Sequence, residues 1–142
     1  MPRVCKSVFV LSILFLSACS GSSDSLSIKP GEWEITTSSA ISILPHAVSH
    51  TETKCLSSKE LGPSVLMEES MNCTYSGFKR EGSELSWEMS CAKESETLEG
   101  TGSLTTADKE NFSGGIKIMF PSADTPMSIG KNWKASYVGP CK

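Results

Sequence analysis

The run Glu84-Leu85-Ser86-Trp87-Glu88-Met89-Ser90-Cys91 alternates polar and apolar residues without a break. A period of two is the signature of a β-strand with one buried and one solvated face. Leu85, Trp87, Met89 and Cys91 therefore share a face. Upstream, Cys73-Thr74-Tyr75-Ser76-Gly77-Phe78-Lys79 reads as a second strand, and Arg80-Glu81-Gly82-Ser83 supplies a hairpin loop whose glycine accepts a positive φ. Folding about Gly82 sets Cys73 opposite Cys91, Tyr75 opposite Met89 and Gly77 opposite Trp87. Directly opposed residues on antiparallel strands have Cα atoms about 4.5–5.5 Å apart, within reach of a disulfide.

The same period extends outward on both sides. Downstream, Leu98, Gly100, Gly102 and Leu104 share one strand face, and Phe112, Gly114, Ile116 and Ile118 share the next. Ala107-Asp108-Lys109 is the turn between them, which sets Leu104 against Phe112. A last strand, Asn132 to Val138, presents Trp133, Ala135 and Tyr137 on one side. Upstream, Pro30-Gly31 opens the domain and Glu32 to Thr37 is a first strand. Ser38 to Ala47 reads as a loop with an apolar side, and Val48 to Lys54 as a polar strand. Ser64 to Glu69, after Pro63, suggests one short helix, since proline suits a helix start. About seven strands on short turns predict an all-β fold, a small antiparallel sandwich or partly open barrel.

The amino-terminal segment has a different character. Arg3 and Lys6 precede a short apolar run, Ser7 to Phe15, and Leu16-Ser17-Ala18-Cys19 follows. That order is a secretory signal, and the run is too short for a permanent membrane span. Leu-Ser-Ala-Cys resembles the lipobox of bacterial lipoproteins, which implies cleavage after residue 18 and acylation of Cys19. Ser20 in place of Asp after that cysteine favours the outer membrane by the same resemblance. Residues 19–29, serine-rich and polar, read as the lipidated cysteine and a flexible tether, and residues 30–142 as one domain.

Six cysteines then sort by position. Cys5 is discarded with the signal and Cys19 carries the lipid, leaving Cys55, Cys73, Cys91 and Cys141 in an oxidising compartment. Two disulfides are the default there. The hairpin register pairs Cys73 with Cys91, and elimination pairs Cys55 with Cys141. A four-cysteine zinc site is the rival, but the spacings are wide and no C-x₂-C knuckle occurs.

Pro30-Gly31-Glu32-Trp33-Glu34 at the start, Gly139-Pro140-Cys141-Lys142 at the end and the intervening cysteine spacing resemble the DUF3617 group of secreted or lipid-anchored proteobacterial proteins. Glu32 stands where that group usually has an apolar residue. The resemblance implies location and fold and carries no activity.

Charge narrows the partners. With Arg3 and Lys6 removed, eleven basic residues face sixteen acidic ones, a net charge of about −5. Nucleic acid is excluded as a partner on that balance. His46 and His50 are four apart in an extended segment, roughly 13 Å along a strand, too far to chelate together. The methionines Met67, Met71, Met89, Met119 and Met127 form no tight cluster and read as core filling. Glu94, Glu96 and Glu99 read as solvated carboxylates, and no Gly-x-Ser-x-Gly elbow occurs. No catalytic residue, metal site or cofactor is assigned.

Glycines on an apolar strand face either bend the sheet or leave room for a ligand. Trp33, Trp87, Gly100, Gly102, Gly114 and Ile116 are the candidate lining of such a cavity. The expected function is a periplasmic protein on the outer membrane, held by its lipid and binding a small apolar ligand or another envelope protein without catalysis. The alternatives are a cofactor-free enzyme acting on cell-wall or lipid material, and a structural or assembly lipoprotein. A cavity along the glycine face favours ligand binding. A filled interior with one exposed edge strand favours assembly.

Overall fold

The computed structural model of the protein describes residues 24–68, 70–120 and 125–142. The signal segment 1–18 and the lipidation site Cys19 lie outside the described residues. The elements run β1 (Leu26–Ser27), β2 (Gly31–Ile41), β3 (Val48–Leu56), β4 (Glu60–Leu61), α1 (Pro63–Leu66), β5 (Asn72–Glu81), β6 (Glu84–Lys93), β7 (Glu96–Asp108), β8 (Asn111–Phe120) and β9 (Met127–Gly139). Seven strands form one antiparallel sheet in the order β3-β2-β9-β8-β7-β6-β5, and the sheet does not close on itself. β1 and β4 pair as a second, two-stranded sheet. The expected all-β architecture of about seven strands, one short helix and two disulfides is the one observed.

Alternation decides which face is buried. Trp33 and Ile35 on β2, Leu85, Trp87 and Met89 on β6, Leu98 and Leu104 on β7, Phe112, Ile116 and Ile118 on β8, and Trp133 and Ala135 on β9 form one core. Leu56 at the end of β3 joins the same core, as do Leu26, Ile28, Leu61 and Met67 from the short elements and the segments beside them. Complete burial of one such aliphatic side chain contributes roughly 1.5–3 kcal/mol.

Residues 24–29 are not a free tether. Ser25, Leu26 and Ile28 are buried, the Ile28 N–H donates to Lys59 O, and the Lys29 N–H donates to Lys109 O. Two apolar residues among serines carry little pattern, yet distant partners bury both of them. The Trp33 indole N–H donates to Lys29 O at 3.0 Å, and its ring packs against Phe112 and Tyr137. Lys29 pairs with Glu110 at 2.6 Å and lies over the Tyr137 ring. Gly31 must lack a Cβ there, because one would overlap Gly139 O and the Tyr137 ring. The Pro-Gly-x-Trp opening thus closes one end of the core.

Other expectations shift in detail. β2 continues through Ser38 and Ser39, which pair with β3 and β9, so the loop after it shrinks to residues 42–47. Backbone ladders accept serine, which apolar periodicity does not register. The helix is a single turn, Pro63–Leu66, because Met67 turns to extended backbone and buries its side chain.

Cys73 pairs with Cys91 and Tyr75 with Met89, but Gly77 is not opposite Trp87. A bulge lies between Ser76 and Lys79, where Gly77 takes a φ of 61°, and the turn is Gly82-Ser83. Leu104 faces Gly114, and Phe112 faces Thr106. That turn is Lys109-Glu110, held by Asp108, which accepts the Glu110 N–H at 2.7 Å and the Asn111 amide at 3.1 Å. An aspartate that bonds the backbone two residues on builds this turn. Both disulfides are in place, Cys55–Cys141 with Cα atoms 5.5 Å apart and Cys73–Cys91 with Cα atoms 3.9 Å apart.

Candidate functional site

The glycine face is filled. A Cβ at Gly102 would overlap the Trp87 indole, one at Gly100 would lie 3.0 Å from the Met89 side chain, and one at Gly114 would lie 2.7 Å from the Leu104 side chain. Large side chains from neighbouring strands occupy the volume those glycines vacate, so of the two alternatives, a bend or room for a ligand, the core side leaves no hollow at these glycines. Trp33 lies away from them, at the closed end beside Lys29 and Tyr137. Among the described residues, nothing accepts a hydrogen bond from the buried Trp87 indole nitrogen.

Trp87, Gly102, Gly114 and Ile116 do border a depression of about 790 Å³. Of its other lining residues, Ser86, Ser103, Lys117 and Lys134 alternate with the core residues and so lie on the solvated side of the sheet, whereas Trp133 belongs to the core. The depression therefore lies on the solvated side of the sheet, and the four candidates lie behind it in the pleat.

A smaller cleft of about 360 Å³ opens on the core side, between α1 and the strands β2, β3 and β9. Ile35, Leu66, Met67 and Trp133 supply apolar walls, and His50, Glu52 and Lys131 line it as well. Lys131 reaches Glu68 across it at 3.4 Å, joining the sheet to the segment after α1. His46 lies in the loop before β3 and does not join His50 there. Among the described residues, no three of His, Cys, Asp and Glu gather as metal ligands.

The third feature is an edge. β3 ends the sheet, pairs with β2 alone and exposes every residue from Val48 to Cys55. The β2–β3 ladder runs without a register shift over nine pairs. β5, at the opposite edge, carries the Gly77 bulge, and the Arg80 guanidinium donates to Ser25 O. Natural sheets blunt their edges with bulges, prolines and charged side chains; β3 has no bulge and no proline, and Glu52 and Lys54 are its charged residues, with the Lys54 ammonium donating to Val65 O at 3.2 Å. Val48 to Lys54 is readable in the sequence as a polar strand, and its core-side residues Val48, His50, Glu52 and Lys54 line the cleft beside α1.

The shifted titrations lie outside these features or at their margins. The Glu110 carboxylate, by accepting a hydrogen bond from Lys29, holds its ammonium above the usual lysine range. The Glu110 N–H and the Asn111 amide hold Asp108 below the usual carboxylate range. Burial pushes the Tyr75 phenol up.

The fold and its edge define a class: a disulfide-stapled β domain of one open seven-stranded sheet and one two-stranded sheet, with a filled glycine face and one edge strand free of bulges. The chain belongs to the DUF3617 family, described as a protein of unknown function, whose model matches residues 28–141. Comparison with curated proteins and with solved structures returned no match. The matched span begins at Ile28, in agreement with the burial of that residue.

Proposed function

We propose that this chain is a lipid-anchored envelope protein, exported by its signal segment and acylated at Cys19, whose domain serves interaction and assembly and not catalysis. Location on the periplasmic face of the outer membrane is part of the proposal and is supported by the lipobox sequence and Ser20. The observation that carries the functional reading is β3: nine residues of regular edge strand beside a core whose glycine face is filled. An open edge presents unpaired backbone donors and acceptors, and strand addition is the recognition mode that uses them.

The test places a photoreactive side chain at Thr53 on β3, or at Thr101 on β7, in the full chain in cells. Cross-linked products are expected from Thr53 and none from Thr101. Absence of any product from β3 would overturn the reading. Palmitate labelling that survives Cys19→Ser would separately overturn the anchor.

Binding of a small apolar ligand is the second reading, favoured by the apolar walls of the cleft beneath α1. Retained lipid, found by mass spectrometry after native purification and lost with Met67→Asp, would support it. A lipid-free protein would remove it.

A further inference from the structure

We infer that β3 pairs antiparallel with β3 of a second copy of this chain, about a two-fold axis through Thr51, joining two seven-stranded sheets edge to edge. The inference rests on the reading of β3 as the interaction surface and names its partner.

The register follows from symmetry and charge. A two-fold axis perpendicular to the sheet keeps each side chain on its own face, so paired residues must have the same parity. With Thr51 opposite Thr51, His50 falls opposite Glu52 twice, Ser49 opposite Thr53 and Val48 opposite Lys54. Each imidazole N–H can then donate to a carboxylate, and opposite or hydrogen-bonding cross-strand pairs contribute roughly 0.2–1 kcal/mol apiece.

Moving the axis one step either way spoils the match. An axis at Glu52 sets the two Glu52 carboxylates face to face, and one at His50 leaves Val48 against Glu52. Directly opposed like charges are destabilising. An axis at Thr53 sets Glu52 opposite Lys54 twice, but it leaves Val48 unpaired and draws the Lys54 ammonium away from Val65 O, to which it donates at 3.2 Å, so the axis at Thr51 is the one inferred.

The exposed surface fits the same partner. Val48 is 73% exposed, the most exposed of the large hydrophobic residues in this chain's described part. In the paired register Val48 lies opposite the other copy's Lys54, whose ammonium donates to its own Val65 O at 3.2 Å and whose methylene stem is left to cover apolar surface. Thr51 and Thr53 are β-branched and suit a strand that gains a second neighbour. Acylation would hold both copies on one membrane face, where raised effective concentration favours a modest contact.

Cysteine cross-linking in native membranes, with the full acylated chain, reads the register directly. Opposed residues lie within disulfide reach whether or not their pair is hydrogen-bonded, at about 4.5–5.5 Å. Thr51→Cys is expected to give a disulfide-linked dimer. Ser49→Cys alone and Thr53→Cys alone are expected to give none above wild type, whereas the two co-expressed variants give one. Thr51→Lys, which faces two ammonium groups across the axis, should lower by at least tenfold the cross-linking of Ser49→Cys with Thr53→Cys, with Cys55–Cys141 and Cys73–Cys91 still formed. A dimer from Thr53→Cys alone as strong as that from Thr51→Cys would overturn the register. Adducts to other proteins without a homodimer would overturn self-pairing and leave β3 as an interaction edge. No adduct at any of the three positions would overturn both.

Discussion

Two tryptophans in one core have opposite hydrogen-bonding states. Trp33 donates to Lys29 O and anchors the chain entry, whereas the Trp87 indole nitrogen is buried without an acceptor among the described residues. A buried unpaired donor carries a desolvation cost of about 1–3 kcal/mol, which an apolar replacement removes. Trp87→Phe is therefore expected to cost no more than about 1 kcal/mol despite its lost volume. Trp33→Phe also orphans a carbonyl and should cost about 2 kcal/mol. Paired urea melts measure the difference, and equal losses would contradict it.

Asp108 gives a pH dependence at the same scale. Its carboxyl is held below the usual range, so the folded state favours the ionised form. The stabilisation is present above the unfolded value of 3.8 and is lost as pH falls through the lower folded value. Stability measured from pH 5 to pH 2 should show Asp108→Ala converging on wild type at the acid end. A constant gap would remove the carboxylate from the explanation.

At the scale of elements, the disulfides divide the work. Cys55–Cys141 links β3 to the chain just beyond β9, the two strands that flank β2 near Glu32. In the chain-entropy model its 86-residue separation stabilises by about 4.6 kcal/mol, against about 3 kcal/mol for the 18-residue separation of Cys73–Cys91. Replacing Cys55 and Cys141 by serine should lower stability more than replacing the other pair. It should also speed amide exchange in β3 ahead of β6. The reverse order would show that the hairpin bridge matters more.

Much of this was legible because parity survives small errors. The expected β7–β8 pairing was two residues out, since Asp108 builds a turn that periodicity does not encode, yet every side chain kept its face. The one-residue offset at the β5–β6 turn is absorbed by the bulge at Gly77, which leaves Cys73 opposite Cys91. The failures share another cause. Leu26 and Ile28 are buried by partners far along the chain, and the glycine face is filled by Trp87 from the next strand. Both depend on tertiary neighbours that spacing along a single segment does not specify. Of the candidate site, β3 was visible as a polar strand, but its place at the sheet's end was not.

At the scale of the whole molecule, the strand order matters as much as the faces. β5 through β9 pair each with the next, whereas β2 joins them only through β9. Loss of β9 is thus not the loss of an edge. A chain ending before Met127 keeps the four-stranded piece β5–β8 and the hairpin β2–β3 with nothing between them. Such a chain is expected to show no cooperative unfolding transition by circular dichroism, and a sharp wild-type-like melt would contradict this.

A ribosome delivers residues from the amino end, and β9, the strand that joins β2 to the rest of this sheet, comes out after all the others. Until residues 127–139 are free, Trp33 and Ile35 have no β9 neighbours to lie against. Synthesis therefore imposes a waiting period in which two half-built surfaces are each sticky, and any helper that shields newborn chains has its longest task on the segment that appeared first. Moving the termini by circular permutation, so that β9 precedes β2, would shorten that wait without altering a single contact inside the finished sheet.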